Sequence, residues 1–417
     1  MGPDCDYSHL EHANDLEPSA GHHHLMARCP LHEEVANEPP FYVVSRHEDV
    51  FSVLTQPDLW NNGDGPGVFY QTGGVLGSAD GQLHRRQRKV LQDGFRPSAI
   101  EALSPHVTSI GEALWDAAFG VSGTNGHGTN GHGTNGHGTN GHGTGDFVEL
   151  FAFPFPAIVI AELLGVPADR RDQFGAWSSD IVNGLGGGDL ALVEAANAGI
   201  FAIVDDLVAE RTELLRVGGT PPDDVVTVLT RAHLAGELSH GEVRRMSQQL
   251  LVAGHETTAS LISLMLYRLI QQPGLFAQLR ADPSLISLAV EEFLRYDSPV
   301  QGLFRTNSEQ CRLRGTEISE RTKVQVLFAA ANRDPEVWEE PDEIRLDRMS
   351  GGTRAHLAFG WGVHHCIGAP LARSEAQLAL RLMVERFETV ELVGPVAVNQ
   401  PFILRGLTTM PIRWTNR

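Results

Sequence analysis

Cys366 is the residue best placed in this sequence to do chemistry. It stands in Phe359-Gly-Trp-Gly-Val-His-His-Cys366-Ile-Gly368, and a helix-like run, Ala369-Pro-Leu-Ala-Arg-Ser-Glu-Ala-Gln-Leu-Ala-Leu, begins directly behind it. Pro370 suits a first helical turn, where its missing N–H costs no hydrogen bond. A cysteine at a helix N-terminus meets free backbone N–H groups and the positive end of the helix dipole. Both favour the thiolate over a thiol of ordinary pKa, about 8.5. Gly362 and Gly368 carry no Cβ, so the backbone can approach a flat ligand closely on either side. The plain alternative is a buried structural cysteine. The complete spacing Phe-x-x-Gly-x-x-x-Cys-x-Gly argues against it.

A second group is Ala253-Gly-His-Glu-Thr-Thr258, a polar island inside residues 246–271, which are apolar on most faces and read as a central buried helix. Burying a carboxylate and two hydroxyls there is expensive unless they are paired or used. Threonine can bond back to a carbonyl one turn earlier and bend a helix, and Gly254 lets the gap open, so the helix is expected to be broken at this point. A third group is Asp80-Gly-Gln-Leu-His84-Arg-Arg-Gln-Arg88. His84 and Arg88 are four apart and share one face of a helix, where two cationic donors can hold carboxylates; a solvated basic face is the alternative. In Glu292-Phe-Leu-Arg295 opposite charges stand three apart on a helix, a pair that needs further partners if it is buried.

The elements that must position these groups can be read in outline. Residues 41–44 suggest a strand, and 47–54, 100–119 and 147–166 suggest helices, the last ending near Pro167. Residues 60–77 form a glycine-rich stretch with interleaved aromatic and apolar residues, which fits a pocket-lining or packed surface loop. Residues 170–217 hold two helical patterns around Gly184-Leu-Gly-Gly-Gly188, a hinge or a simple turn. Residues 1–28 are polar and histidine-rich and read as a flexible arm. Between 123 and 145 the unit Gly-Thr-Asn-Gly-His recurs, placing His127, His132, His137 and His142 five apart. The repeat holds no apolar residue to offset the entropy of ordering, so it reads as a low-complexity loop insertion, with a metal-gathering tract as the sharper alternative.

The chain has 417 residues, 41% of them hydrophobic, and a net charge of −20, which disfavours nucleic acid and anionic membranes as partners. Cys5, Cys29, Cys311 and Cys366 are scattered without a disulfide framework, as in a reducing cytoplasm. The N-terminus has no basic and apolar halves of a signal peptide, and no membrane span is expected.

The stretch around Cys366 resembles the haem-binding signature of the cytochrome P-450 family. Residues 253–258 resemble its Ala-Gly-x-Asp/Glu-Thr-Thr/Ser motif, residues 80–88 its propionate-binding helix, and residues 290–300 its Glu-x-x-Arg helix and following turn. These four occur in family order. The family completes the Glu-x-x-Arg pair with an arginine from Phe-Asp-x-x-Arg; here Ile344-Arg-Leu-Asp-Arg348 keeps only the arginine, so the packing of that segment is open.

The resemblance implies a mainly α fold with a small β portion, the cytochrome P-450 fold, as a single domain over 29–417 with a central long helix over the haem. It implies haem b (iron protoporphyrin IX) with Cys366 as metal ligand, Phe359 and Gly368 in its cradle, and His84, Arg88, Arg305 and His364 as partners of the propionates. Glu256 would relay protons and Thr257 would hold activated dioxygen. Residues 300–303 and 402–407 would supply apolar walls. The implied function is that of a soluble bacterial-type haem-thiolate monooxygenase, cytoplasmic and monomeric. It would hydroxylate or epoxidise a small hydrophobic substrate with O2 and electrons from a ferredoxin and an NAD(P)H-fed ferredoxin reductase. A peroxide-driven enzyme would not need Glu256 and Thr257, and a haem ligand sensor would need an output module; both are weaker readings.

Overall fold

The structure, a computed structural model, describes residues 8, 15–17, 19–120, 141–185, 189–350, 355–399 and 402–417. Its centre is the helix His240–Gln271, which starts earlier than the apolar run because of a capping box. Ser239 Oγ accepts from the Glu242 N–H at 3.2 Å, and the Glu242 carboxylate accepts from the Ser239 N–H at 2.8 Å. At 32 residues it is about 48 Å long. It is long and apolar enough to cross a membrane, but 72% of its apolar window is buried inside the protein, as befits a core helix.

The expected break in this helix is absent. Thr257 Oγ1 donates to the Ala253 carbonyl at 2.8 Å, so the hydroxyl is satisfied inside a continuous helix. Gly254 serves packing: a Cβ there would come within 2.9 Å of Ile160 on the helix Pro154–Leu164. Pro97–Phe119, Pro154–Leu164, Asp172–Leu185, Leu190–Arg216 and Ala369–Arg386 pack around the long helix and one another. Gly165 ends the expected 147–166 helix in a left-handed conformation, φ +87°.

The β portion is small. One five-stranded sheet has the spatial order Leu31–Glu34, Phe41–Val44, Lys323–Val326, Leu303–Asn307, Trp60–Asn61. Its single parallel pair joins Phe41–Val44 to Lys323–Val326. A three-stranded sheet places Pro411–Asn416 between His142–Asp146 and Phe387–Leu392. The end of the repeat, expected as loop through 145, is therefore strand from His142. Its glycines are what fit it there, because a Cβ on Gly143 would lie 2.6 Å from the Trp414 ring. His127, His132 and His137 fall outside the described residues, as do Leu-flanking residues 186–188 of the glycine turn.

The N-terminal region also differs from a flexible arm. Ser19–Arg28 is a helix with Leu25 and Met26 buried. Ahead of it, Glu17 pairs with Arg268 of the long helix, and the Leu16 carbonyl accepts from Arg268 at 2.9 Å. Cys29 is disulfide-bonded, whereas Cys311 and Cys366 are free thiols.

Glu292 and Arg295, in the helix Ile286–Asp297, are fully buried. Arg295 donates to both Glu292 oxygens at 2.8 Å and to the carbonyls of Asn332, Pro341 and Glu343 at 2.8–3.0 Å. Arg348 Nε (3.1 Å) and the Arg345 N–H (2.9 Å) reach the same Glu292 oxygen. Arg348 thus fills the place the family pattern gives it. The missing Phe-Asp is made good by Ile344 and Leu346, which pack on the apolar core. Every polar atom of the pair has work, which is what makes its burial tolerable. Removing the guanidinium in Arg295→Ala is expected to cost about 3–5 kcal/mol. Thermal unfolding of the variant measures this, and an unchanged midpoint would deny the lock any share in stability.

Candidate active site

Two left-handed glycines shape the loop before Cys366: Gly360 at φ +65° and Gly362 at φ +71°. A Cβ on Gly362 would also come within 2.7 Å of the Leu54 carbonyl, so this glycine answers to the backbone turn and to Leu54. The Cys366 N–H donates to the Phe359 carbonyl at 3.0 Å and closes the turn. Ala369–Arg386 starts three residues later with Pro370 in its first turn. A Cβ on Gly368 would lie 3.9 Å from Cys366 Sγ, an ordinary contact.

Cys366 is accessible, yet protein surrounds it densely. Burial pushes its thiol pKa up. The backbone N–H groups of Gly368 and Ala369, which point at the sulfur, and the Arg88 and Arg373 charges act in the opposite direction. The helix-start effect expected from the sequence is therefore present, but by itself it is outweighed by desolvation.

The loop is braced from behind. The Arg373 guanidinium lies 4.5 Å from the centre of the Phe359 ring and donates to both Glu291 oxygens at 2.6 and 2.9 Å. His356 Nε2 stands 3.1 Å from Glu291 Oε2. Burial would raise the Glu291 pKa, but the bonds and charges of His356 and Arg373 outweigh it and hold the carboxyl at about 2.

The structure gathers the four expected propionate partners from three distant segments. His84 and His364 stack with ring centres 4.2 Å apart. His364 Nε2 is 3.1 Å from Asp80 Oδ1, while its Nδ1 is buried with no partner among the described residues. Asp80 Oδ2 accepts from the Asn62 N–H at 2.9 Å. Arg88 donates to the His365 carbonyl at 2.8 Å and is near enough to Cys366 for their charges to interact. Arg305, buried on the strand Leu303–Asn307, donates to the Phe304 carbonyl at 2.8 Å.

Among the described residues neither guanidinium is bonded to a carboxylate. Burial accordingly lowers the pKa of Arg88, and that of Arg305 to about 10. Burial, then the charges of His364 and Arg88, depress His84 to about 4. Burial thus favours the neutral imidazole at His84. Two under-compensated guanidiniums and an orphaned imidazole nitrogen suit an anionic ligand beside the Cys366 sulfur, and the donor set fits a haem with two carboxylates.

On the long helix Ala253 is exposed while Leu251, Val252 and His255 are buried and Gly254 is half-buried, which marks an opening at mid-helix. Glu256 reaches to the helix Asp172–Leu185, where the Ser179 hydroxyl donates to its Oε1. Burial raises the Glu256 pKa, and the Ser179 bond opposes the rise. The walls inferred for 300–303 and 402–407 are joined by a bridge between Val300 and Leu404, and Phe402, Ile403 and Leu404 are buried. The hollow bordered by Gln310, Cys311, Arg312 and Glu317 belongs to a separate hairpin and shares none of these residues.

Comparison with known proteins decides the family. The Cytochrome P450 family model matches residues 177–284 and 282–412. The chain belongs to the cytochrome P450 family. It is 33% identical to the cytochrome P450 monooxygenase PikC of Streptomyces venezuelae over 95% of this chain and 91% of that one. It is 35% identical to the 6-deoxyerythronolide B hydroxylase of Saccharopolyspora erythraea over 81% of this chain and 77% of that one. The solved structure of the cytochrome P450 CYP109Q5 from Chondromyces apiculatus superposes with a TM-score of 0.81 at 30% identity, covering 98% of this chain and 97% of that one. The mainly helical fold with small sheets is the cytochrome P450 fold. The protein is a haem-thiolate monooxygenase of the bacterial type, an oxidoreductase whose cofactor is haem b. Bacterial members draw on redox partners and O2 and bind small substrates.

Several groups at the site had no reading in the sequence. Asp80 ties His364 to Asn62, and its position four before His84 is its only signal in the sequence. Ser179 had none. Thr258 and Glu375 meet between the long helix and Ala369–Arg386; burial drives the Glu375 pKa well up and the Thr258 hydroxyl opposes it weakly, neither carboxyl oxygen having a bond of normal geometry. His255 is buried and neutral, its pKa lowered to about 4 by burial while its Nε2 bonds the Phe153 carbonyl at 3.1 Å.

Because Glu291 is held at about 2, below its ordinary 4.5, its contribution is full above pH 4.5 and lost as the pH falls towards 2. The contribution is on the order of 2–3 kcal/mol. Urea unfolding of Glu291→Gln against the native protein across that range should show the difference closing as the pH drops; a constant difference would put the stabilisation elsewhere.

Proposed function

We propose that Cys366 Sγ is the axial ligand of the haem iron. The observation that carries this is the Cys366 thiol, free of any disulfide, with the Gly368 and Ala369 N–H groups aimed at its sulfur and the under-compensated Arg88 beside it. Arg88, Arg305, His84 and His364 hold the propionates, and a carboxylate there gives His364 Nδ1 its missing partner. Phe359 and Gly368 shape the cradle, with Arg373 and Glu291 fixing Phe359 from below. Haem, when bound, supplies the iron at which O2 is reduced and cleaved, and thiolate donation favours that cleavage.

On the distal side the chain's task is to admit O2 and meter protons. The Thr257 hydroxyl, parked on the Ala253 carbonyl, can turn outward as a donor at the mid-helix opening. Glu256, with its raised pKa and its Ser179 partner, holds a proton nearer to neutral pH than an exposed glutamate does. The substrate is a small lipophilic organic molecule, hydroxylated or epoxidised. The apolar cluster shared by Val68, Leu76, Ile181, Leu250 and Phe402 supports that class, as does a relative named a 6-deoxyerythronolide B hydroxylase. Electrons come from a ferredoxin and its NAD(P)H-fed reductase, since among the described residues no strand is followed by a G-x-G-x-x-G to bind a nicotinamide directly. The setting is a soluble cytoplasmic monomer, a single domain over 29–417 to which the Ser19–Arg28 helix adds Leu25 and Met26 as core residues. The negative charge and the core position of the long helix support it, and the disulfide at Cys29 argues against it.

Reduced protein with CO should absorb at the long wavelength typical of thiolate ligation, and Cys366→His should abolish that band while haem stays bound. Survival of the band would remove Cys366 as ligand. Thr257→Ala is expected to raise the electrons consumed per product formed several-fold, read as NAD(P)H oxidised against product with added ferredoxin and reductase. Unchanged coupling would deny Thr257 its role, and equal turnover with peroxide alone would favour the peroxide-driven reading.

A further inference from the structure

Lys323 opens the strand Lys323–Val326 and is completely buried, yet among the described residues no carboxylate is bonded to it. Its three ammonium hydrogens go instead to three carbonyls of one loop: Asp64 at 2.9 Å, Gly65 at 2.7 Å and Gly67 at 3.0 Å. Three donors meet three acceptors, which satisfies the ammonium completely. The Tyr70 ring lies 5.2 Å from Nζ and adds a cation–π contact. Gly65 makes the convergence possible with φ +89°, where a side chain would also meet Gln71.

The same loop is tied to the sheet elsewhere. The Phe304 N–H donates to the Pro66 carbonyl at 2.9 Å, the Tyr70 hydroxyl to the Arg321 carbonyl at 2.6 Å, and Arg321 pairs with the Asp64 carboxylate at 3.0 Å. Burial lowers the Lys323 pKa to about 8, with Asp64 opposing and Arg305 adding to the shift. An ammonium kept here against that cost has to be matched by what it organises, because without it three carbonyls are left clustered with no donor.

What it organises lies further along the loop. Val68, Val75 and Leu76 are buried in the apolar cluster that also holds Phe402, Leu404, Leu250 and Val252. Gly77 approaches the long helix so closely that a Cβ would lie 3.1 Å from Gln249 Nε2, one turn before Ala253. The loop therefore spans from the sheet that carries Arg305 to the helix that carries Thr257.

We propose that Lys323 is a positioning residue for the distal wall of the substrate pocket: its ammonium fixes the 64–67 turn and thereby sets where Val68, Val75 and Leu76 meet a bound molecule. This rests on the reading of Cys366 and Thr257 as the two sides of the reaction site.

Two iron-ligating azoles of different reach test it on the haem-loaded protein. Imidazole is small enough to stop at the iron, whereas clotrimazole extends to the wall. Lys323→Met should bind imidazole within about twofold of the native protein and clotrimazole about tenfold more weakly, and Lys323→Arg should recover part of the difference. Hydrogen exchange over residues 60–77 should quicken in Lys323→Met. In the native protein the same residues should be protected by clotrimazole and not by imidazole, a result that needs no variant to fold. Equal effects on both azoles, or no protection of 60–77 by clotrimazole, would overturn the proposal. The haem reading is checked separately, since imidazole shifts the haem spectrum only if haem is present with an open site.

Discussion

A thiol that protein crowds on all sides, yet that is to ligate a metal, is under opposing demands. Burial favours the neutral SH, whereas iron ligation requires the thiolate. At Cys366 the start of a helix answers part of this, because the Gly368 and Ala369 N–H groups and nearby guanidiniums act against desolvation. They do not overcome it alone; the haem iron proposed to bind there would complete the balance. Much of the surrounding structure is what it takes to hold one sulfur in that position. The left-handed Gly360 and Gly362 turn the chain, the Phe359 carbonyl closes the turn, and Ala369–Arg386 fixes the direction of the N–H groups.

The supports of that sulfur are themselves charged and buried, and they work because each is matched. Arg373, His356 and Glu291 brace Phe359, while one residue further along the same helix Glu292 collects Arg295, Arg348 and the Arg345 N–H. Adjacent glutamates thus serve two different jobs on neighbouring faces. The exceptions to matching are informative. Arg88, Arg305 and His364 Nδ1 are left short of anionic or accepting partners, as groups proposed to hold haem carboxylates would be. Lys323 is the opposite case, a buried cation fully satisfied by backbone carbonyls alone.

On the distal side the long helix stays continuous. A threonine that satisfies itself on a carbonyl can remain in a helix without cost to the ladder, and Gly254 is explained by Ile160. The opening is registered instead by the exposure of Ala253 and by a Glu256 turned towards Ser179.

The sequence by itself determined the local chemistry: a cysteine at a helix start, the acid–alcohol island, His84 and Arg88 on one helical face, and Glu292 with Arg295. Each depends on spacing within a few residues, so it is visible in one dimension. It also determined most helices, since apolar periodicity and capping residues act locally. Tertiary structure decided what depends on neighbours distant in sequence. Desolvation reverses the net shift at Cys366 and favours the neutral imidazole at His84, and both depend on how densely other segments crowd in. Residues 19–28 fold into a helix, and the polar glycine repeat becomes a strand from His142 because Trp414 lies against it; composition alone argued for loop. Ser179, Glu375 and Lys323 carry no motif, because their roles come only from the partners that folding brings within hydrogen-bond or near-contact reach.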